Sequence, residues 1–480
     1  MTQNLPYASA AQPSDELIER LVAVVGSDHA IRDPAAQAPY LREWRDRYTG
    51  RTALVLKPAT TAEVSQILAL ANAAGVGIVT QGGNTGLVGG QIPSETGQEI
   101  VLSLTNMNRV REIDAALTFM TVEAGLTLAA AQGAAEGVGR LFPLSMASEG
   151  SATIGGNLAT NAGGVAVLAY GTARSLVLGL EVVLADGTIW NGLRSLKKDN
   201  TGYDLRDLFV GSEGTLGVIT AATLKLVPQP REKATALVAV PTLDALLPLF
   251  RLAEEMGGTR LTAFEFMCCE VMGFVTRHMA GIQLPFSAPP PWSVLVEISG
   301  AVDGEARHVL EGLLAGALQR GLATDAVVAS SLTQAHGLWR IREACSEAQK
   351  GEGGSIKHDV SVPVARIADL LRLAGAEVQR ICPGARPVPF GHLGDGNVHY
   401  NVSQPLGMDK AAYLALWEPM THAVHRVVLD LGGSISAEHG IGRMKRAELA
   451  RIKSGIEIDL MRRIKDALDP RGILNPGKVI

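Results

Sequence analysis

The stretch QGGNTGLVGG, residues 81–90, carries five glycines in ten positions and no lysine or arginine. What precedes it sets its meaning. Ala53 to Lys57 reads as a strand, Thr61-Ala-Glu-Val opens a helix running to about Ala74, and Val76 to Thr80 reads as a second strand. A strand–helix–strand unit therefore delivers a glycine-rich loop. The loop is not the G-x-G-x-x-G of a dinucleotide-binding unit, and it lacks the Gly-Lys-Ser/Thr ending of a P-loop. Its physics still suits a diphosphate. Successive backbone N–H groups in glycine turns form an anion-binding nest, and Asn84 and Thr85 add side-chain donors. Alone, the loop reads equally well as an ordinary connection between strands.

It is not alone. Strands at Ile100–Leu104, Arg109–Ile113 and Thr118–Val122, then a helix at Leu126–Gly137, lead to FPLSMASEGSATIGGNLATNAGG, residues 142–164, a long loop. Within it, GSATIGGNLATNAGG is rich in Gly, Ser, Thr and Asn. Leu178–Ile189 reads as a hairpin turning at Asp186-Gly187. A third glycine loop, GSEGTLGVIT at 211–220, enters the strand Ala222–Val227. Three such loops between strands favour a large diphosphate cofactor. VPQPREK, 227–233, is a linker. Beyond it, helices (about 242–256, 303–320, 363–379) alternate with strands (235–240, 292–298), as in an α+β domain with an antiparallel sheet.

The 480 residues, 47% hydrophobic and 19% charged, can bury two or three cores. A net charge of -5, with no basic stripe, argues against a nucleic-acid partner. Cys268, Cys269, Cys345 and Cys382 fit neither a disulfide framework nor a zinc cysteine cluster, which suits a reducing compartment. No secretory signal and no apolar run of transmembrane length is visible. The expectation is a cytoplasmic protein.

Five of the ten histidines lie between residues 392 and 439. His422 and His425 read as ordinary positions on a helix at about 409–430. In GHLGDGNVHYN, 391–401, a tight Gly-Asp-Gly-Asn segment can fold the chain into a hairpin that gathers His392 and His399. Asn401 then shares a face with His399. SISAEHGIG, 434–442, adds Glu438 and His439. Two imidazoles and a carboxylate can hold a divalent metal and leave positions open for substrate. Spacing also allows two buried, hydrogen-bonded histidines, and does not decide between them. Arg342 and Ser346, four apart on one predicted helix, share a face. With Lys357 on a following strand, they are either carboxylate readers or a solvated helix face with an ordinary salt bridge.

QGGNTGLVGG, IGGNLATNAGG, NTGYDLRDLFVGSEGTLGVIT and DPRGILNPGK occur in that order. Together they resemble the vanillyl-alcohol-oxidase-type (PCMH-type) flavoproteins, in the branch of D-2-hydroxyglutarate dehydrogenase, D-lactate dehydrogenase and the glycolate oxidase subunit. The resemblance runs from about Trp44 to Lys478. It implies an α+β fold with a two-subdomain PCMH-type FAD-binding domain at 1–228. A substrate or cap domain at 229–425 would carry the metal site on an antiparallel sheet with flanking helices. A segment at 426–480 would pack back on the FAD domain. The active site is expected between the first two, where flavin faces metal. FAD contacts are implied for Gly82, Gly83, Asn84, Thr85, Gly86, Ser151, Gly155, Asn157, Thr160, Asn161, Glu213, Gly214, Ile219 and Asn475. Attachment should be non-covalent, since neither His nor Cys occurs between 81 and 164. The same resemblance makes His392, His399 and Glu438 ligands of a divalent metal, zinc in that branch. Asn401 and His439 become substrate contacts, with His439 the catalytic base. Arg342, Ser346 and Lys357 would read a distal carboxylate. The branch usually has Thr at the Ser346 position, so this chain keeps the hydroxyl and loses a methyl.

The resulting expectation is an FAD- and metal-dependent dehydrogenase of a D-2-hydroxy acid. D-2-hydroxyglutarate, giving 2-oxoglutarate, comes first and D-malate second. The electron acceptor would be electron-transfer flavoprotein or a quinone, and the assembly a homodimer. Rivals are a D-lactate or glycolate dehydrogenase, an alkyl-glycerone-phosphate-synthase-like transferase, and an FAD-bearing subunit of a multi-component oxidase.

Overall fold

The computed structural model describes residues 11–480 and divides into two compact units. The first comprises residues up to Gly163, then Thr172–Gln229 and His439–Ile480. The second comprises Gly164–Gly171 and Pro230–Glu438.

In the first unit, Ser14 caps the amphipathic helix Asp15–Val25 through the Leu17 N–H, and Thr60 caps Thr61–Ala74 through the Glu63 N–H. The latter helix stops at Gly75, whose φ of 68° is left-handed. Val55–Leu56, Glu99–Ser103 and Gly77–Gln81 pair in parallel, and Ala30–Ile31 adds an antiparallel edge. A second, antiparallel sheet has the order Val110–Ile113, Phe119–Glu123, Val218–Lys225, Val177–Val183, Ile189–Gly192. The stretch expected as a loop at 142–164 contains a helix, Ile154–Ala159, capped by Thr153. That cap is the signal the glycines obscured.

The second unit is built on an eight-stranded antiparallel sheet. Its order is Asp325–Val328, Glu232–Val240, Trp292–Gly300, Leu261–Cys268, Arg386–His392, Asn397–Ser403, Ser355–Ile356, with Asp359–Ser361 also pairing to Asn397–Ser403. Both faces are covered. Phe264, Phe266, Val294 and Val296 pack with the helices Leu243–Gly257 and Glu305–Gln319 on one side. Met267, Leu295, Val388 and Phe390 pack with Cys269–His278 and Leu332–Glu343 on the other. The chain leaves this unit only after Glu438. The helix Trp417–Asp430 runs straight through the boundary expected at 425/426 and contributes Met420, Val424, Val427 and Val428 to the second unit's core. An amphipathic helix cannot be divided at the point where its apolar stripe is still buried.

Candidate metal centre and cofactor loops

The hairpin at 391–401 forms as its residues dictate. Arg386–His392 pairs with Asn397–Ser403, and Leu393–Asp395 turns the chain as a short 3₁₀ segment ending at Gly396, φ 83°. His392 stands opposite Asn397 and Phe390 opposite His399. The two histidines are thus diagonal neighbours on one face, with ring centroids 5.6 Å apart at 75°. Asn401 lies on that face too.

Glu438 comes from a loop fixed to the same sheet. Ser361 and Ser434 exchange backbone hydrogen bonds of 3.0 and 2.8 Å, and the Glu438 N–H donates to Asp359 Oδ2 at 2.9 Å. Its carboxylate receives both rings: His392 Nε2 is 3.6 Å from Oε1, and His399 Nε2 is 3.9 Å from Oε2. One ligand atom from each of the three residues falls within 4.8 Å of the others. Ligand atoms ~2.1 Å from a tetrahedral ion lie about 3.4 Å apart, so little movement would close the set.

The far side of each ring carries a second carboxylate, which the sequence reading missed. Glu265 stands opposite His392 in the register and lies 2.7 Å from its Nδ1. Asp359 lies 3.8 Å from His399 Nδ1 and also accepts from the Asn397 amide at 2.9 Å. A carboxylate behind each imidazole, with both Nε2 atoms turned to a third, is the arrangement that orients histidines as metal ligands. The residues fit a divalent ion. In the metal-free site, burial alone would lower the His392 pKa, but the Glu265 charge overrides it and lifts it to about 9, so a cation must displace a proton there. Withdrawal from water pushes the Glu438 carboxyl up to about 7, partly offset by His392.

The expected carboxylate readers are brought together only in part. The helix Leu332–Glu343 ends at Ala344 and a separate short helix, Cys345–Ala348, follows. Ala344 keeps helical dihedrals, but Arg342 and Ser346 lie in different surroundings. Arg342 is buried, donates from Nε to Glu265 Oε2 at 2.9 Å, and lies over the Phe390 ring at 5.0 Å. Ser346 is exposed. Lys357 sits between two short strands rather than within one, and its Nζ donates to the Ser346 carbonyl at 3.4 Å. His425 is a buried helix residue beside His358, with ring centroids 5.6 Å apart.

In the first unit, the glycine loops pack against each other. A Cβ on Gly83 would lie 1.7 Å from the Ser151 carbonyl oxygen, and one on Gly82 would lie 2.2 Å from Thr153 Oγ1. A Cβ on Gly155 would meet that of Ala124 at 2.7 Å. Close loop packing requires these glycines whatever they bind. The Asn84 amide, expected as a phosphate donor, is instead committed to the Pro39 and Arg42 carbonyls, both at 2.9 Å. Thr160 Oγ1 donates to the Gly156 carbonyl at 3.1 Å, and Asn161 Oδ1 accepts from the Arg174 N–H at 3.0 Å. The Glu213 carboxylate is taken by the backbone of 441 and 442. Ile219 is buried in the strand Val218–Lys225. Asn475 donates from Nδ2 to the Glu213 carbonyl at 2.7 Å, and a Cβ on Gly214 would lie 3.8 Å from both that nitrogen and Thr80 Cβ. Among the described residues, Thr80 Oγ1, Asn157 Nδ2 and Asn475 Oδ1 are buried without a hydrogen-bond partner. These neutral donors and acceptors leave hydrogen-bonding capacity that a dinucleotide could use.

Comparison with known proteins agrees. The model of the FAD binding domain matches residues 52–192, and that of the FAD linked oxidases, C-terminal domain, matches 229–479. D-2-hydroxyglutarate dehydrogenase, mitochondrial, of Bos taurus is 40% identical over 100% of this chain and 85% of its own length. D-2-hydroxyglutarate dehydrogenase of Xanthomonas citri pv. viticola is 37% identical over 93% of each chain. The p-cresol methylhydroxylase crystal structure shares the fold, with a TM-score of 0.75 at 16% identity over 97% of this chain and 96% of that one. With both of its FAD-oxidase regions matched in order, the chain belongs to the FAD-linked oxidase family and is an FAD-dependent oxidoreductase of PCMH-type fold.

Proposed function

We propose that this protein oxidises D-2-hydroxyglutarate to 2-oxoglutarate, with D-malate as the second substrate, and that it uses a divalent metal, zinc by its resemblance to the D-2-hydroxyglutarate dehydrogenase branch. The identities to proteins of that name support the substrate. The observation that carries the metal is the pair of imidazole Nε2 atoms facing Glu438.

His392, His399 and Glu438 would hold the ion, which when bound supplies a Lewis acid that acidifies the substrate's α-hydroxyl. FAD, held non-covalently by the glycine loops, supplies the hydride acceptor. His439 takes the hydroxyl proton; imidazole, with an ordinary pKa of ~6.5, is the side chain suited to that task near neutrality. Asn401 hydrogen-bonds the substrate from the face that carries His399. Lys357, with the Ser346 hydroxyl and Arg342, compensates the distal carboxylate. Reoxidation falls to an electron-transfer flavoprotein or a quinone, and the chain works as a homodimer.

The four cysteines are free thiols, in keeping with a reducing compartment such as the cytoplasm. Among the described residues, no helix is long and apolar enough to cross a membrane.

A second reading, D-lactate or glycolate dehydrogenase, is favoured by one feature: Arg342 is already paired with Glu265. Anaerobic flavin reduction separates the two. D-2-hydroxyglutarate, D-malate and D-lactate would be compared before chelation, after it, and after metal is restored. Fastest bleaching by D-2-hydroxyglutarate, reversibly abolished by chelation, supports the proposal. Fastest bleaching by D-lactate with no effect of chelation rejects both the metal and the dicarboxylate pocket.

A further inference from the structure

Glu265 occupies the middle of an inner strand, Leu261–Cys268, flanked by Trp292–Gly300 and Arg386–His392. Its side chain is 1% exposed. A charge there is costly, and a buried ion pair is commonly replaced by apolar side chains with no loss of stability. The surrounding face is already apolar, with Met267, Leu295, Val388 and Phe390 nearby. The fold alone does not call for a carboxylate at this position.

Its two oxygens are divided between two partners. Oε1 lies 2.7 Å from His392 Nδ1, and Oε2 accepts from Arg342 Nε at 2.9 Å, with Nη2 in ion-pair contact at 2.8 Å. His392 is thereby left with Nδ1 facing a fixed acceptor and Nε2 facing Glu438. A proton held on Nδ1 leaves the Nε2 lone pair free to bind a metal. Arg342 balances the charge that does this and is itself fixed over Phe390.

The geometry points to Glu265 as the positioning residue of the metal centre: it fixes the tautomer and aim of His392, and it joins that ligand to Arg342 through one carboxylate. This rests on the metal reading above. It adds a residue that touches neither substrate nor ion and acts through its neighbours.

The test is a competitive zinc titration of the FAD-loaded, metal-stripped protein and of Glu265→Gln. Gln keeps the shape and loses the charge. The expected result is zinc affinity weakened by about 10–100-fold, in a variant whose circular dichroism and flavin content match the parent. Unchanged affinity in that variant overturns the inference. If Glu265→Gln does not fold, the parent decides: ¹⁵N-histidine spectra of the zinc-loaded protein should place the His392 proton on Nδ1. A proton on Nε2 overturns the inference. If the stripped parent itself binds no zinc, the metal reading fails and the inference falls with it, an outcome distinct from a parent that binds and a variant that binds equally.

Discussion

The carboxylate of Glu213 accepts hydrogen bonds from the backbone N–H groups of Ile441 and Gly442, each at 2.7 Å, and so anchors the segment immediately after His439. Gly442 has a left-handed φ of 51°, and a Cβ there would lie 2.5 Å from the Val88 carbonyl oxygen. No other residue fits this approach.

Glu213→Ala leaves two backbone donors without their acceptor. The expected cost is about 1–3 kcal/mol of stability, read from the denaturant midpoint at unchanged slope. Burial raises the Glu213 pKa, against the pull of those two N–H groups. The stability it contributes is therefore fully present below its unfolded pKa and is lost as pH rises through the folded value. Glu213→Gln should remove that part of the pH dependence.

Metal binding should release protons. His392 is raised to about 9 and Glu438 to about 7 in the metal-free site, so at neutral pH the site holds protons that a cation must displace. Zinc affinity is expected to climb between about pH 7 and 9. Calorimetry in buffers of different ionisation enthalpy would count the protons released. In the stripped protein the sign for stability is the reverse. Both folded pKa values are raised, so their stabilising contribution is complete at low pH and lost as pH climbs through 7 and then 9.

Lys357→Ala is the clean test of a second substrate carboxylate. Losing a charge-assisted contact worth about 1.5–3 kcal/mol should raise KM for D-2-hydroxyglutarate by about 10–100-fold and leave kcat nearly unchanged, with little effect on D-lactate. An equal effect on both substrates would contradict a distal carboxylate contact. Arg342→Met cannot serve this purpose. It takes away one of the two partners of the buried Glu265 charge, leaving His392 alone beside it, and is expected to lower Tm.

Gly83→Ala should separate the two glycine loops, because the new methyl would overlap the Ser151 carbonyl at 1.7 Å. The expected outcome is protein purified with little flavin and a lowered Tm. Full flavin content would show that the loops can shift at no cost.

Local features were legible in the sequence. The helix opened by Thr61-Ala-Glu-Val and ending at Ala74, and the hairpin turn within 391–401, each depend on a few neighbouring residues. The gathering of His392, His399 and Glu438 was legible because two of them share one hairpin and the third has a conspicuous His neighbour; their role as ligands came only from the resemblance. Glu265 and Asp359 were not. Glu265 meets His392 across 127 positions of sequence, through a register that only the assembled sheet defines. Arg342 was found but its pairing with Glu265 was not, since that partner lies 77 positions away in sequence. The Asn84 amide looked like a free donor because its partners, at Pro39 and Arg42, lie some forty residues earlier.

Residues 473–475 close the edge of the parallel sheet. Leu474 bridges Ile78, the Ile78 N–H donates to the Ile473 carbonyl at 2.7 Å, and the Asn475 N–H returns to Ile78 at 2.8 Å. During synthesis, strand Gly77–Gln81 therefore waits with one side unpaired while almost four hundred further residues are made. An open edge is a template for wrong pairing, and a ribosome needs tens of seconds for such a length at ~5–20 residues per second. The nascent chain thus spends most of its assembly with its first unit incomplete. Loss of the last few residues would be felt at the opposite end of the sequence, as aggregation that begins at a strand made long before.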